Sequence, residues 1–196
     1  MTLRVRPLPS KSGFFFIKIV SYATNVDMNQ YLRDFVETTF HAAGKALDLG
    51  AGDFGDVNGL RHLGWECDGV DLKDGVDLEK PYTSTNAPCD LVYSNYVLHK
   101  LQKRHQLIQT IFDNLKEDGW FFIHTFDTSD TNSTSDLSRD VLNGLLTEQG
   151  FKNIKIRLFD FFDDEEGHKH WHKILEAIGQ KPPEGSSTLQ ESGQNN

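Results

Sequence analysis

From Met28 onward, apolar residues recur with a helical period: Met28, Tyr31, Leu32, Phe35, Val36 and Phe40 share one face, and Gly44 closes the pattern. Asn25 or Asp27 is the expected cap, since either side chain can accept an amide hydrogen of the first turn. The period then shortens. Residues 45–49 read as a buried strand, followed by a glycine-rich turn and a short helix with Phe54, Val57, Leu60 and Leu63 on its apolar side. Residues 67–71 predict a second strand, 76–78 a short third and 90–93 a buried fourth. A helix is expected over 103–115, with Leu107, Ile108, Ile111, Phe112 and Leu115 turned inward, and then a fifth strand over 120–124. Ser135 or Asp136 is the expected cap of a helix carrying Leu137, Val141, Leu142, Leu145 and Leu146, which Gly150 ends.

The last part changes character. Residues 154–161 and 170–178 predict two strands joined by the acidic loop Asp163-Asp164-Glu165-Glu166-Gly167, an antiparallel pair. From Pro182 on, Pro, Gly, Ser, Gln and Asn dominate, and disorder is expected. Strand–helix alternation predicts the α/β class: a Rossmann-like, mostly parallel sheet with helices on both faces and a C-terminal antiparallel strand pair. The expected organisation is an N-terminal extension over 1–24, one domain over 25–180 and a tail over 181–196. In such sheets ligands bind beyond the carboxyl ends of the strands, which is where chemistry is to be sought.

Composition narrows the partners. A hydrophobic fraction of 37% against 25% charged marks a globular chain, and 196 residues suffice for one domain with a real core. The net charge of −9 argues against a nucleic-acid partner, which a basic face would meet. Cys67 and Cys89 form neither a metal-type pair nor a disulfide framework, so a reducing cytoplasm is the expected setting. Arg4, Arg6 and Lys11 precede an apolar run over 14–20 in the manner of a signal peptide, but Lys18 interrupts it and no small-x-small cleavage site follows. No apolar stretch is long enough to span a bilayer, so no membrane association is expected.

The densest chemistry lies in Ala46-Leu47-Asp48-Leu49-Gly50-Ala51-Gly52-Asp53-Phe54-Gly55, a strand running into a glycine turn and then a helix. Glycines there let the backbone bend tightly and approach a ligand, and the helix beyond presents N–H groups and a positive dipole end. Asp71 ends the next strand after Gly69-Val70, about 20 residues on, the spacing of a nucleoside-binding acid whose carboxylate accepts from ribose hydroxyls. The turn lacks the Gly-Lys-Ser/Thr of a P-loop, which argues against triphosphate hydrolysis. A dinucleotide dehydrogenase shares the first two elements and normally needs a second domain for its substrate, whereas the residues after Gly55 are expected to form strands and helices of the same sheet.

Taken in order, these segments resemble the class I S-adenosylmethionine-dependent methyltransferases. Asp48-Leu49-Gly50-Ala51-Gly52 is similar to their first motif, Gly69-Val70-Asp71 to their second-strand acid, and Asp77-Leu78-Glu79-Lys80-Pro81 to a segment whose acid meets the adenine amino group. Residues 90–101 and 115–123 resemble the fourth strand with the start of its helix, and the turn into the fifth strand. The likeness covers about residues 28–180; the helix after the second strand is nearly absent, and Asp53 and Phe54 stand where small residues are more usual.

The resemblance implies a methyl transfer from S-adenosyl-L-methionine. Asp48 would bear on the amino end of the cofactor, Gly50, Ala51 and Gly52 on its methionine and ribose, Asp71 with Leu72 on the ribose side, and Asp77 or Leu78 on the adenine edge. Ser94, Asn95 and Tyr96 would surround the reactive methyl. His99 and Tyr96 are the catalytic candidates: Tyr96 would cover the cofactor, contact substrate or pack as a core-edge aromatic, and His99 would be either a general base or a packing residue of the pocket wall. His124 is read equally as pocket lining or as packing. His168, His170 and His172 alternate on one strand face, a pattern open to metal, but no second ligand cluster accompanies it and no metal is assigned. The lid left to residues 1–30 and 127–135 is small, which suits a small-molecule acceptor. A non-catalytic cofactor-binding scaffold is the alternative, weakened by the presence of both Asp48 and Asp71. A protein or nucleic-acid methyltransferase is a further one, weakened because Ser94-Asn95-Tyr96-Val97 lacks the (Asp/Asn)-Pro-Pro-aromatic signature of amino-directed DNA enzymes.

Overall fold

Side-chain alternation sorts the central strands between two helical layers. In the computed structural model, which describes residues 28–164 and 169–185, β1 (Lys45–Leu49), β2 (Glu66–Val70), β3 (Cys89–Asn95) and β4 (Leu115–Phe126) are parallel neighbours. β6 (His170–Gln180) joins β4 antiparallel, and β5 (Lys152–Asp163) pairs antiparallel with β6 at the edge. The order is β2-β1-β3-β4-β6-β5. Leu47, Leu49, Val92, Phe121 and Ile123 face α3 (Arg104–Asn114) and α4 (Arg139–Gln149), which bury Leu107, Ile111, Leu142 and Leu146. Ala46, Leu91, Tyr93 and Phe122, one residue out of step, face α1 (Gln30–Thr39) and α2 (Gly55–His62), which supply Leu32, Phe35, Val57 and Leu60. By the same period, Asp48 shares the face of Ala46. The chain leaves β1 toward β2 on one side and later returns to β3 on the other, so the topological switch point lies where β1 and β3 end.

Several boundaries differ from the sequence expectation. The cap of α1 is Asn29, whose Oδ1 accepts from the Tyr31 and Leu32 amides at 2.9 and 3.2 Å; Asn25 and Asp27 lie outside the described residues. Residues 76–78 are not a strand. A 3-10 turn over Leu72–Asp74 follows β2, and the Asp77 carboxylate accepts from the Glu79 N–H at 3.0 Å, curling the segment that was to extend. β4 begins at Leu115, not 120, because Leu115 already pairs with Cys89, ahead of a register irregularity after which Trp120 pairs with Leu91. The cap of α4 is Ser138. Ser135 instead donates to the Phe126 carbonyl at 2.6 Å and accepts from the Leu137 N–H, pinning the preceding loop to β4. Of the terminal segments, residues 1–27 and 186–196 lie outside the described residues, while Lys181 donates to the Phe112 and Leu115 carbonyls at the end of α3.

Candidate functional site

The glycine turn is held against β2 by its own amides. The Gly50 and Ala51 N–H groups both donate to the Val70 carbonyl, at 2.8 and 3.0 Å. Gly50 has φ +100°, and a methyl group built on it would overlap Val97 Cγ2, so backbone handedness and crowding both require glycine. The Gly52 N–H donates to Asp71 Oδ2 at 3.1 Å, and the Lys73 N–H donates to Asp71 Oδ1 at 3.1 Å. The turn and the acid, 19 residues apart, are thus in direct contact. Each Asp71 oxygen keeps a further lone pair for a ligand hydroxyl. Leu72, 73% exposed, stands beside it.

Beyond the ends of β1 and β3 opens a cleft of about 650 Å³. Asp48, Gly50 and Ala51 line it together with Asn29, Asp56, Asn95 and Tyr96. Asp48 is buried, and its pKa is pushed well above the ordinary carboxylate range, first by burial and then by the charge of Asp56, against a hydrogen bond from Tyr93. Asp56 accepts from the Asn29 N–H and from Asn95 Nδ2, each at 2.7 Å. That fixes the Asn95 amide and leaves its Oδ1, like Oδ1 of Asp48, buried with no hydrogen-bond partner among the described residues. Two bare buried acceptors on residues lining one cleft call for a donor, because an unmet buried acceptor is costly. An α-ammonium group meets that need, so the residues present fit the aminoacyl end of S-adenosylmethionine.

The opposite wall comes from Tyr96, Phe126, Phe161, Asp163, Asp164 and His172. Tyr96 holds φ +59°, a strained conformation for a non-glycine residue, with its N–H donating to the His124 carbonyl at 2.9 Å and its ring 5.3 Å from that of Phe126. His172 Nδ1 lies 2.9 Å from Asp130 Oδ2. His124 is buried behind this wall. Its Nε2 is 2.9 Å from Glu176, which also takes a bidentate pair from Arg157 at 2.5 and 2.8 Å, and its Nδ1 is 3.3 Å from the Asn29 amide nitrogen. Burial lowers the pKa of His124 more than Glu176 raises it, while the bonds from His124 and Arg157 outweigh burial and keep Glu176 below its usual range. A neutral imidazole therefore donates from Nε2 to the carboxylate and accepts at Nδ1 from Asn29, whose other atom caps α1. His124 is a structural link.

The remaining sequence candidates lie away from the cleft wall. Ser94 is buried and donates to the Leu49 carbonyl at 2.7 Å, binding the ends of β1 and β3 together. Asp77 caps its own turn and pairs with Lys80, and Leu78 is packed into the core. His99 is half-buried against the Phe126 ring, with Nδ1 3.3 Å from Thr125 Oγ1; burial, then the charges of Lys100 and Arg104, push its pKa down to about 4. His168 lies outside the described residues, and the rings of His170 and His172 are 4.5 Å apart. Sequence reasoning missed Asn29, Asp56 and the His172–Asp130 pair. Asp56 carried one signal, an acid in the first turn of the helix after the glycines; the pair, 42 residues apart, carried none.

Comparison with known proteins converges on one family. The sequence matches the methyltransferase domain family over residues 24–173. No curated protein matches it significantly. Among solved structures, an S-adenosylmethionine-dependent methyltransferase from Methanosarcina mazei is similar, with a TM-score of 0.64 and 14% identity over 76% of this chain and 98% of that one. One from Archaeoglobus fulgidus gives 0.59 and 16%, covering 78% and 92%. Phosphoethanolamine N-methyltransferase 2 of Haemonchus contortus, solved with phosphomonomethylethanolamine and S-adenosylhomocysteine, gives 0.60 and 14% over 79% of this chain. This chain spans about half of that enzyme, 53% of its length. With more than half of its sequence inside the family match, this chain belongs to the methyltransferase domain family, and it has the fold of S-adenosylmethionine-dependent methyltransferases.

Proposed function

We propose that this enzyme methylates a small-molecule acceptor by in-line transfer. The observation that carries the reading is the pair of unpartnered acceptors, Asp48 Oδ1 and Asn95 Oδ1, under the glycine turn. They are read as the seat of the cofactor's ammonium group, with Gly50, Ala51 and Gly52 along its methionine and ribose, Asp71 with Leu72 on the ribose side and Asp77 or Leu78 at the adenine edge. When bound, the cofactor supplies a methyl group already activated on a sulfonium. The chain's own residues have to align and enclose. Asn95 is fixed by Asp56, and the strained Tyr96 faces the same space, so the reacting end is bounded by groups with little freedom. A cleft of about 650 Å³ that holds both the aminoacyl end and the acceptor supports a small-molecule acceptor.

Calorimetry with S-adenosylmethionine, S-adenosylhomocysteine and NADH tests this reading. Both adenosyl compounds are expected to bind and NADH not, and Asp71→Ala is expected to weaken binding at least tenfold, on the order of one or two charge-assisted hydrogen bonds. Binding of NADH with neither adenosyl compound overturns it.

A further inference from the structure

The reading above leaves the aromatic wall of the cleft without a role. Its imidazole, that of His172, is nearly buried, lines the cleft and is oriented by a carboxylate from a different part of the chain. Asp130 accepts from the Lys173 N–H at 2.7 Å, from the Asn132 N–H at 2.7 Å and from His172 at 2.9 Å. Burial alone raises its pKa, but these bonds prevail and hold it below the ordinary carboxylate range. An ionised carboxylate can only accept, so Nδ1 of His172 carries the hydrogen and the lone pair of the neutral ring is on Nε2. Among the described residues no group is hydrogen-bonded to Nε2. Phe126 packs against the ring at 4.6 Å and 32°, and His170 at 4.5 Å, so its plane is fixed. A base whose other nitrogen is held by a third group is the arrangement of a pre-oriented proton acceptor. The acceptor side also carries a chemical bias. Tyr96, Phe126 and Phe161 offer ring faces, Asp163 and Asp164 stand beside them, and neither Lys nor Arg is among the described residues lining the cleft. Such a wall attracts a cation and repels an anion.

We propose that the acceptor is a small primary or secondary amine and that His172, positioned by Asp130, takes its proton. The proposal rests on the methyl-transfer reading. An ammonium group gives one N–H proton to His172 Nε2, which becomes an imidazolium beside the Asp130 carboxylate. The freed nitrogen lone pair then forms the N–C bond as the S–C bond breaks, and the electron pair of that bond stays on sulfur. The product leaves as a methylammonium, and the imidazolium returns its proton to water.

The test uses the full chain with S-adenosylmethionine and four pools of small acceptors: amines, thiols, phenols and carboxylates. Methylation is expected in the amine pool, falling about a hundredfold in His172→Gln, the ordinary loss for a general base, with partial rescue by added imidazole. His105→Gln, on the exposed side of α3, is expected to match the wild type. Asp130 is a positioning residue, and long-range proton–nitrogen NMR reads it without turnover. The wild type is expected to show His172 protonated at Nδ1, and Asp130→Asn to shift the population toward the other tautomer while lowering kcat and sparing KM for the cofactor. Calorimetry with S-adenosylhomocysteine separates the two levels. Binding intact in every variant preserves the methyl-transfer reading whatever the acceptor, and wild type without binding defeats that reading itself. Methylation confined to thiols, phenols or carboxylates, in none of the pools, undiminished in His172→Gln, or a wild-type ring protonated at Nε2 overturns the proposal.

Discussion

The two walls of the cleft are built by opposite means. The wall under β1 and β2 is made from one short stretch of chain: Asp48, the glycine turn and Asp56 follow one another, and Asp71 reaches back to Gly52 from the very next strand. Its geometry is set by backbone, through amides shared with the Val70 carbonyl. The wall under β4, β6 and β5 is assembled from side chains far apart in sequence, with Asp130 reaching His172 and Arg157 reaching Glu176. A backbone-built site tolerates almost no substitution but needs little support from elsewhere; a side-chain-built one depends on register between strands. The first wall therefore suits the part of the ligand that does not vary, and the second the part that does.

The largest expected effect follows from Gly50. Gly50→Ala combines a left-handed φ with overlap on Val97, and about 3 kcal/mol of destabilisation is expected from the two together. Thermal unfolding should register it as a fall of several degrees, with no measurable cofactor binding by calorimetry. Val97→Ala in the same chain should recover the overlap share but not the conformational share. Full recovery would mean that the φ of +100° carries no strain, and the contrast between a backbone wall and a side-chain wall would fail.

Next in size is Asp48→Asn, where binding and stability should move in opposite directions. Loss of the charge is expected to weaken S-adenosylmethionine about a hundredfold, the share of charge-assisted hydrogen bonds in a buried site. The free protein, by contrast, should become more stable at neutral pH. The folded-state pKa of Asp48 is raised by burial and by Asp56, so the native state binds the proton more tightly than the unfolded one. The resulting penalty grows as pH rises from the unfolded value of about 3.9 to the raised folded value and is absent below both. Urea unfolding at pH 7 and pH 3.5 checks the sign: a gain in Asp48→Asn at pH 7 that vanishes at pH 3.5. A loss of stability at pH 7 would show that the buried carboxylate is already paired.

The same contrast accounts for what the sequence made legible. Strand, glycine turn and strand-end acid form one local unit, so Gly50, Gly52 and Asp71 stood out by order and spacing, and Asp48 through the resemblance to the methyltransferase motif. Helical and strand periods placed the two layers, since alternation in β3 and β4 sorts Val92 and Phe121 from Leu91 and Phe122. What escaped depends on contacts that no local period encodes. Ser135 looked like a helix cap but is drawn to the Phe126 carbonyl. Residues 76–78 have strand composition, yet Asp77 turns on the Glu79 amide. Ser94 follows the strand pattern into the site's neighbourhood, but its hydroxyl is spent on the Leu49 carbonyl. The His172–Asp130 pair exists only because the loop after β4 folds back on β6.

A smaller effect distinguishes the two ends of the Arg157–Glu176–His124 chain. Glu176→Ala strips a buried imidazole of its acceptor and should cost about 2 kcal/mol, whereas Arg157→Ala removes a half-exposed partner and should cost less than about 1 kcal/mol. Equal losses in chemical denaturation would place the energy in the surface ion pair instead. The sign with pH follows from Glu176 itself: its pKa is lowered on folding, so its share of stability is present above its unfolded value and fades as pH falls through the lowered folded value.

The smallest effect concerns His99, the histidine that the sequence left open between a general base and a packing residue. Its pKa is pushed down to about 4, by burial first and then by Lys100 and Arg104, so the unfolded chain takes up a proton that the folded one refuses. Stability from this residue is therefore complete above the unfolded value of about 6.5 and declines as pH falls from there toward 4. His99→Gln cannot titrate and should flatten the stability–pH curve in that window, read by urea midpoints at half-unit steps of pH. The imidazole bonded to Thr125 and packed on Phe126 has no carboxylate hydrogen-bonded to it among the described residues, whereas His172 has Asp130. A histidine that contributes to folding through its neutral state and one that is held ready to accept a proton thus both contact the ring of Phe126, and the pH curve of His99→Gln tells which task belongs to His99. An unchanged slope would mean that His99 is solvated after all, and would return it to candidacy for the chemistry of the cleft.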